Sequence, residues 1–415
     1  MTGGGATARE AVEAVHRAEH ARIVAALARR FGDLDLAEDA AGEALVVALE
    51  RWPVDGVPAN PGGWLTTTAT RRALDRLRRE GHREDKHRAA LLVLDDTPHA
   101  PVGVVDDDRL RLMFVCAHPD LAPEARIALT LRLVAGVPTA RIAAAFLVPE
   151  TTMAQRLTRA KAAIARRRLP FAVPEAADLP ARTATVLHVV WMVFDQGYLG
   201  AAAPDHGLRR AQAAEAIRLA RLLHALLPGD PEVQGLLAQL LLLQARDPAR
   251  IDADGVLVPL PDQDRGAWDR ALVAEGHALV RDLLARHRAG GPAPGRHQLL
   301  AAIGAVHTDA PDAASTDWGQ ILALYDQLVR LDPGPVAALN RAVAVAEVDG
   351  PAVALALVER APLPGLHAWH VVRAELLRRL GRSAEARAAY DAALALAVDP
   401  AEAAHLRRRR AQVTG

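Results

Sequence analysis

The chain has 415 residues, 51% of them apolar and 24% charged, the balance of a water-soluble globular protein long enough for more than one domain. Fifty basic side chains against fifty acidic ones leave no net charge, so the total points to no partner. The single cysteine, Cys116, excludes an internal disulfide framework and fits a reducing cytosol. The opening stretch, MTGGGATAREAVEAVHRAEH, has no apolar secretory core. The apolar runs near 185–194 and 235–243 are too short to span a bilayer, so the expectation is a cytoplasmic protein with no membrane contact.

Only 3% of residues are aromatic, and apolar residues recur at spacings of three and four nearly throughout, which predicts an all-α chain. Breaks are expected at the Pro/Gly/Asp-rich stretches 53–63, 95–108, 170–180, 259–264 and 290–295. All basic residues except Lys86 and Lys161 are arginine, a compositional bias that makes placement more informative than number. Residues 33–50 hold six acids and no base; 71–88 hold eight bases and four acids; 126–168 hold nine bases and one acid. The acidic helix suits a basic protein partner, and the basic segments suit phosphates.

The acidic helix opens at Leu34-Asp35-Leu36-Ala37-Glu38-Asp39-Ala40 and runs to Trp52. After a Pro/Gly loop comes Gly63-Trp64-Leu65-Thr66-Thr67-Thr68-Ala69-Thr70-Arg71-Arg72-Ala73-Leu74-Asp75-Arg76-Leu77-Arg78-Arg79. Leu65, Ala69, Ala73 and Leu77 form its core stripe, with Arg72, Arg76 and Arg79 along one flank. The triplet Asp106–Asp108 reads as a solvated linker, and Cys116 and His118 as core and cap residues rather than metal ligands.

Further on, helices are expected at 126–134, 139–146 and 150–165, the last two separated by Leu147-Val148-Pro149. Met153, Leu157 and Ile164 face inward, and Thr152, Gln155, Arg156 and Arg159 lie beyond that stripe. A short helix, a tight turn and a longer helix with a basic outer face is helix-turn-helix patterning, in which Arg and Thr meet phosphates while Gln and Arg read base edges. An ordinary helical hairpin with solvated arginines is the bland alternative. The charge bias favours DNA binding.

From 171 to 415 the pattern stays helical. The only strand-like stretch, 251–260, has Asp254-Gly255 as a hairpin turn; the start Asp252-Ala253-Asp254 lacks the later ligands of a calcium loop. Ala342, Ala354, Val358 and Ala361 are matched 32 residues later by Ala374, Ala386, Tyr390 and Ala393, close to the period of tetratricopeptide repeats. No glycine-rich phosphate loop, nucleophile elbow or HExxH motif occurs, so no catalytic residue, cofactor or metal is assigned and the protein is not expected to be an enzyme.

Taken in order, the acidic helix, the loop, the Trp-Leu…Arg-Arg-Ala-Leu-Asp-Arg-Leu-Arg-Arg helix, the acidic linker and the helix-turn-helix beginning Pro149-Glu150-Thr151-Thr152-Met153-Ala154-Gln155-Arg156-Leu157 resemble a bacterial extracytoplasmic-function (ECF) sigma factor of the sigma-70 family. The long helical extension resembles the subgroup fused to a C-terminal tetratricopeptide-like domain. The resemblance implies a sigma-2 domain at 1–80, a linker at 81–109, a sigma-4 domain at 110–168 and a TPR-like, α-solenoid domain at 171–415. It implies partners too: core RNA polymerase, through the β′ clamp helices and the β flap, and promoter DNA. Asp39 and Glu43 would dock on the clamp helices. Asn60, Trp64, Arg71, Arg72 and Arg76 would hold the melted −10 strand, although Trp64 suits the core equally well and Arg71 stands where the family often has Asn. Thr151, Thr152, Gln155, Arg156, Arg159 and Lys161 would meet the −35 element. The extension would regulate activity, with a soluble protein partner. The competing reading is a ligand-gated helix-turn-helix regulator with a helical sensor domain.

Overall fold

Leu36, Ala37, Ala40, Ala41, Ala44, Ala48 and Trp52 recur at helical spacing and are all buried, a pattern that sets one face of a long helix against the interior. The structure, a computed structural model, describes residues 3–80, 107–146, 148–198, 206–397 and 399–413. Among these residues the chain is all-α, with no strand and one isolated antiparallel bridge, Ile251–Leu257. No described helix is long and apolar enough to cross a membrane. Two compact units result, Met1–Val193 and Phe194–Gly415.

The first unit holds α1 (Gly3–Phe31), α2 (Leu34–Asp55), α3 (Pro61–Glu80), α4 (Asp108–Cys116), α5 (Pro123–Leu129), α6 (Thr139–Ala145), α7 (Glu150–Arg167) and the first turns of α8 (Leu179–Tyr198). Asp33 caps α2, its carboxylate accepting from the Asp35 and Leu36 amides at 2.8 and 3.0 Å. The helix continues through Pro53, so the α2–α3 connection is confined to 56–60, shorter than the Pro/Gly content suggests. Leu65, Ala69 and Ala73 of α3 are fully buried, as their spacing predicts.

The helix expected at 126–134 is α5 followed by a π turn, Thr130–Val134. Gly136 then takes φ +70, where a Cβ would lie 3.0 Å from the His16 and His20 rings. The expected linker 81–109 lies outside the described residues up to 106. Asp107 and Asp108 differ from the solvated linker expected of them. Asp107 caps α4 and grips Arg109 at 2.5 Å, while Asp108 pairs with Arg111 at 2.6 Å and Arg29 at 3.1 Å. Cys116 is buried, and burial pushes its thiol up, away from nucleophilic use.

The boundary between the units falls inside α8 because its first turns pack in the first unit. Thr183, Val186 and Val190 are buried there, and Arg182 donates to the Phe114 carbonyl at 2.8 Å.

The second unit is a succession of helices: α9 (His206–Leu226), α10 (Pro231–Gln244), α11 (Arg270–Arg288), α12 (Arg296–Asp309), α13 (Trp318–Leu331), α14 (Pro335–Val348), α15 (Pro351–Arg360), α16 (His367–Arg379), α17 (Ser383–Leu396) and α18 (Pro400–Gln412). Ala342, Ala354 and Val358 of α14–α15 and Ala374, Ala386, Tyr390 and Ala393 of α16–α17 are all buried in one core, so the repeat in the sequence is a repeat of paired helices; Ala361 alone is exposed. The turn at Asp254-Gly255 is a tight loop in which Asp252 accepts from the Asp254 and Val256 amides. It docks on α18: the Leu257 amide donates to the Ala401 carbonyl at 3.2 Å, and Arg408 reaches Asp252 at 3.1 Å.

Helices α10 and α12 cross closely at Gly235. The carboxylate of Glu232 accepts from the amides of His297 and Gln298 at the start of α12, at 3.0 and 3.2 Å. A Cβ on Gly235 would sit 2.7 Å from the Gln298 backbone nitrogen, which a helix cannot yield without moving. Gly235→Ala is therefore expected to cost about 1–3 kcal/mol through overpacking, read as a lowered thermal midpoint, while alanine at the open Gly229 has almost no effect.

Candidate nucleic-acid interface

Two basic faces lie in the first unit. On α3, Arg71 and Arg72 are exposed and Arg76 half-buried. Asn60 caps this helix, its side-chain oxygen accepting from the Gly63 amide at 3.0 Å. The Trp64 ring meets the buried Trp52 ring edge-on at 5.6 Å, so it anchors the α2–α3 connection to the core. The hydroxyls of Thr66 and Thr67 donate to the carbonyls four residues back, and both residues line a cleft of about 630 Å3. Asn60 and Gly62 share that cleft with Glu19 and Arg22 of α1 and with Asp107 and Asp108.

The second face is α7. Met153, Leu157, Ala160 and Ile164 are buried, Thr151, Gln155 and Arg159 are exposed, and Thr152 and Arg156 lie at the margin. The turn before it is closed by hydrogen bonds from Ile142 to Pro138 and from Val148 to Ala143. Helix-turn-helix geometry is thus present, with the polar residues on the outer side. Arg156 and Arg159 also border a groove of about 500 Å3 between α5 and α7, floored by Leu121, Ala122, Ala125, Ala160 and Ala163.

Lys161 departs from this pattern. Its side chain is only 11% exposed, and it turns toward α2, binding Glu38 at 2.9 Å and Asp35 more closely still. Arg132, in the π turn, holds the other oxygen of Glu38. Lys161 is therefore not part of the outer face with Arg159. Two residues, about 200° of rotation, separate the two side chains along α7, and the ammonium follows the carboxylates. Burial would raise the Glu38 carboxyl, but Arg132 and Lys161 hold it below its ordinary value. Burial likewise opposes the Lys161 charge, yet the bonds to Asp35 and Glu38 raise its pKa.

The acidic run of α2 is thus engaged within the chain. Asp33 is a cap, Asp35 and Glu38 face Lys161 and Arg132, Asp39 pairs with Arg76 at 2.5 Å, and Glu43 lies 3.8 Å from Arg72. The residues singled out for a protein partner, Asp39 and Glu43, are bound to two singled out for nucleic acid. These outer pairs are about half exposed and so weakly held. Sequence reasoning missed Val46 and Leu49, exposed on the same side of α2, because the unbroken apolar run 44–49 hides which members face outward.

Residues 16–83 match the model of Sigma-70 region 2, and residues 111–164 match that of Sigma-70, region 4. Residues 182–284 match a family of unknown function (DUF6596). An uncharacterized protein of Rhizobium meliloti (strain 1021), R00370, is 44% identical over 394 residues, covering 93% of this chain and 92% of that protein. The ECF RNA polymerase sigma factor SigJ of Mycobacterium tuberculosis (strain ATCC 25618 / H37Rv) is 34% identical over 144 residues, 33% of this chain and 44% of SigJ. No solved structure matches the chain.

Between the two basic faces, α1 packs on the π turn. His20 Nε2 lies 3.3 Å from the Arg132 carbonyl, and burial, with the neighbouring His16, pushes its pKa down to about 3. The folded ring stays neutral where the unfolded ring takes a proton. The stability this confers is complete above about pH 6.5 and is lost as the pH falls from there toward 3. His20 alone accounts for about 2 kcal/mol between pH 7 and pH 5, at about 1.4 kcal/mol per unit. Urea denaturation at the two pH values checks this: His20→Gln is expected to shrink the difference by that amount.

Proposed function

Because the chain belongs to the sigma-70 family, we propose that it acts as an ECF-type sigma factor: it binds core RNA polymerase, directs it to −35 and −10 promoter elements and nucleates strand opening. The observation that carries this reading is the presence, in one compact unit, of region 2 with its exposed α3 arginines and region 4 with a helix-turn-helix whose outer face is Thr151, Gln155 and Arg159. The protein acts by binding. Unstacking a base costs a few kcal/mol, which a cleft and a basic track can offset without a chemical step.

In this reading Asp39 and Glu43, with the exposed Val46 and Leu49, dock on the β′ clamp helices. The half-exposed pairs to Arg76 and Arg72 exchange for basic groups of the partner, which frees both arginines for the strand's phosphates together with Arg71. Asn60 and the cleft beside it take an unpaired base of the −10 element, with Trp64 bracing the connection from behind. Thr151, Thr152, Gln155, Arg156 and Arg159 meet the −35 duplex. The apolar groove between α5 and α7 accepts the β flap. The second unit regulates activity through a soluble protein partner, since stacked helix pairs present extended surfaces suited to that.

Co-purification with core RNA polymerase tests the reading directly: a sigma factor binds core, whereas a ligand-gated regulator binds promoter duplex by itself and leaves core unbound. The double variant Asp39→Lys/Glu43→Lys is expected to lose core binding while keeping its helical circular dichroism, since both side chains are at the surface. Arg156→Ala and Arg159→Ala are each expected to weaken promoter binding by the holoenzyme by about 1–3 kcal/mol. A holoenzyme insensitive to both substitutions removes α7 from the −35 interface. Truncation after Tyr198, which keeps the turns of α8 that the first unit uses, is expected to lower transcription in a purified system severalfold; an unchanged rate leaves the second unit as a tether only.

A further inference from the structure

The paired-helix repeat of the second unit sets two versions of one unit side by side. At the spacing of 32 residues, Ala337, Ala338 and Val358 of α14–α15 correspond to Trp369, His370 and Tyr390 of α16–α17. The later repeat thus carries three rings where the earlier one has small or aliphatic side chains. Trp369 donates to the Val358 carbonyl at 3.0 Å, His370 meets its ring edge-on at 4.9 Å, and Tyr390 is fully buried. In the earlier repeat Ala338 and Val358 instead line a groove of about 520 Å3, bounded also by Val329, Pro335, Ala342 and Leu363. Arg341 is the one charged residue among the described residues that line it. Apolar walls, a volume of this order and a single polar anchor are the features of a small-molecule site.

The surroundings of Arg341 differ from those of its counterpart in a way that defines the ligand. That counterpart is Arg373, whose guanidinium lies 5.8 Å from the centre of the Trp369 ring. Arg373 also faces two carboxylates, Glu359 at 2.9 Å and Glu385 at 4.0 Å. Arg341 keeps only the first kind of carboxylate contact, its Nε donating to Asp326 of α13 at 2.6 Å. The ring and the second carboxylate have no equivalents, because Ala337 stands in the place of Trp369 and Val353 in the place of Glu385. Asp326 therefore fixes the guanidinium through one of its five N–H donors and leaves the terminal amino groups for a ligand.

We propose that this groove binds a small aromatic carboxylate. The ring fills the space beside Ala338 and Val358 that the later repeat fills with its own rings, and the carboxylate meets the terminal N–H groups of Arg341. In the later repeat the ring and the carboxylates are separate groups around one guanidinium, so the acid that fits carries its carboxylate on a short tether off the ring. The site lies wholly within the second unit and does not depend on the sigma-factor reading.

The test is isothermal titration of the full-length chain with 2-naphthylacetate, with its neutral amide 2-naphthylacetamide, and with decanoate as an aliphatic acid. Wild type is expected to bind 2-naphthylacetate saturably, about tenfold more tightly than the amide, and more tightly than decanoate. Arg341→Gln is expected to lower the affinity for 2-naphthylacetate about tenfold and to leave that for the amide unchanged. Ala338→His restores the ring of the later repeat and is expected to abolish binding of both, with a thermal midpoint no lower than that of wild type. Absence of saturable binding by wild type at millimolar 2-naphthylacetate overturns the proposal and leaves the groove to a protein partner. Wild-type affinity in Arg341→Gln, or in a folded Ala338→His, also overturns it, since the ligand then lies elsewhere. Equal or tighter binding of the amide or of decanoate overturns the ligand class. None of these measurements involves polymerase, so their outcome is separate from that of the core-binding experiment.

Discussion

The first unit is organised around one carboxylate. Glu38 is almost fully enclosed, and a lone buried anion would cost several kcal/mol; Arg132 and Lys161 on its two oxygens make it tolerable. Those two cations come from separate elements, the π turn and α7, so neutralising Glu38 fixes where both stand relative to α2. His20 and Gly136 follow from the same constraint. The π turn that presents Arg132 also aims its carbonyl at His20, and the chain escapes the His rings only because position 136 carries no Cβ. Removing one partner of such a cluster is more disruptive than its net contribution suggests, since the remaining charges stay buried.

The remaining charges of α2 are arranged with decreasing commitment along the helix. Asp33 is spent on a cap, Glu38 on an enclosed cluster that the exposed Asp35 joins through Lys161, Asp39 and Glu43 on half-exposed pairs, and the side beyond them is apolar and open. Exposed ion pairs contribute little and exchange readily. The hold on these carboxylates is therefore graded, weakest at Asp39 and Glu43 and strongest at Glu38. That gradient gives a protein with no net charge a strongly directional surface.

The second unit is built on different physics. Its helices pair through small residues, with Ala354, Ala374, Ala386 and Ala393 fully buried; Glu232 serves the start of α12, Arg265 the carbonyls of His307 and Ala310, and Glu375 accepts from the Tyr390 hydroxyl in the core of α16–α17. The loop at 251–258 binds α18, a long-range contact within the unit that no local pattern announces.

The amino-acid sequence by itself determined the helical class, the positions of α2, α3, α6 and α7 in the first unit, the inward stripes of α3 and α7, and the paired-helix repeat of α14–α17. These depend on spacing along one helix, which the chain writes directly. It also carried the family, since the order of an acidic helix, an arginine-rich helix and a helix-turn-helix is a linear property. Only the tertiary structure decided which charges are free. The acidic run 33–50 looks like an open surface in sequence, yet most of it is neutralised by residues 30 to 130 positions away, and Lys161, one of nine bases in its segment, faces the opposite way from its neighbours. The apolar run 44–49 similarly conceals Val46 and Leu49, because a continuous run has no phase until a packing partner sets one. Charge and apolarity are local, but their exposure is decided by what the rest of the chain brings alongside.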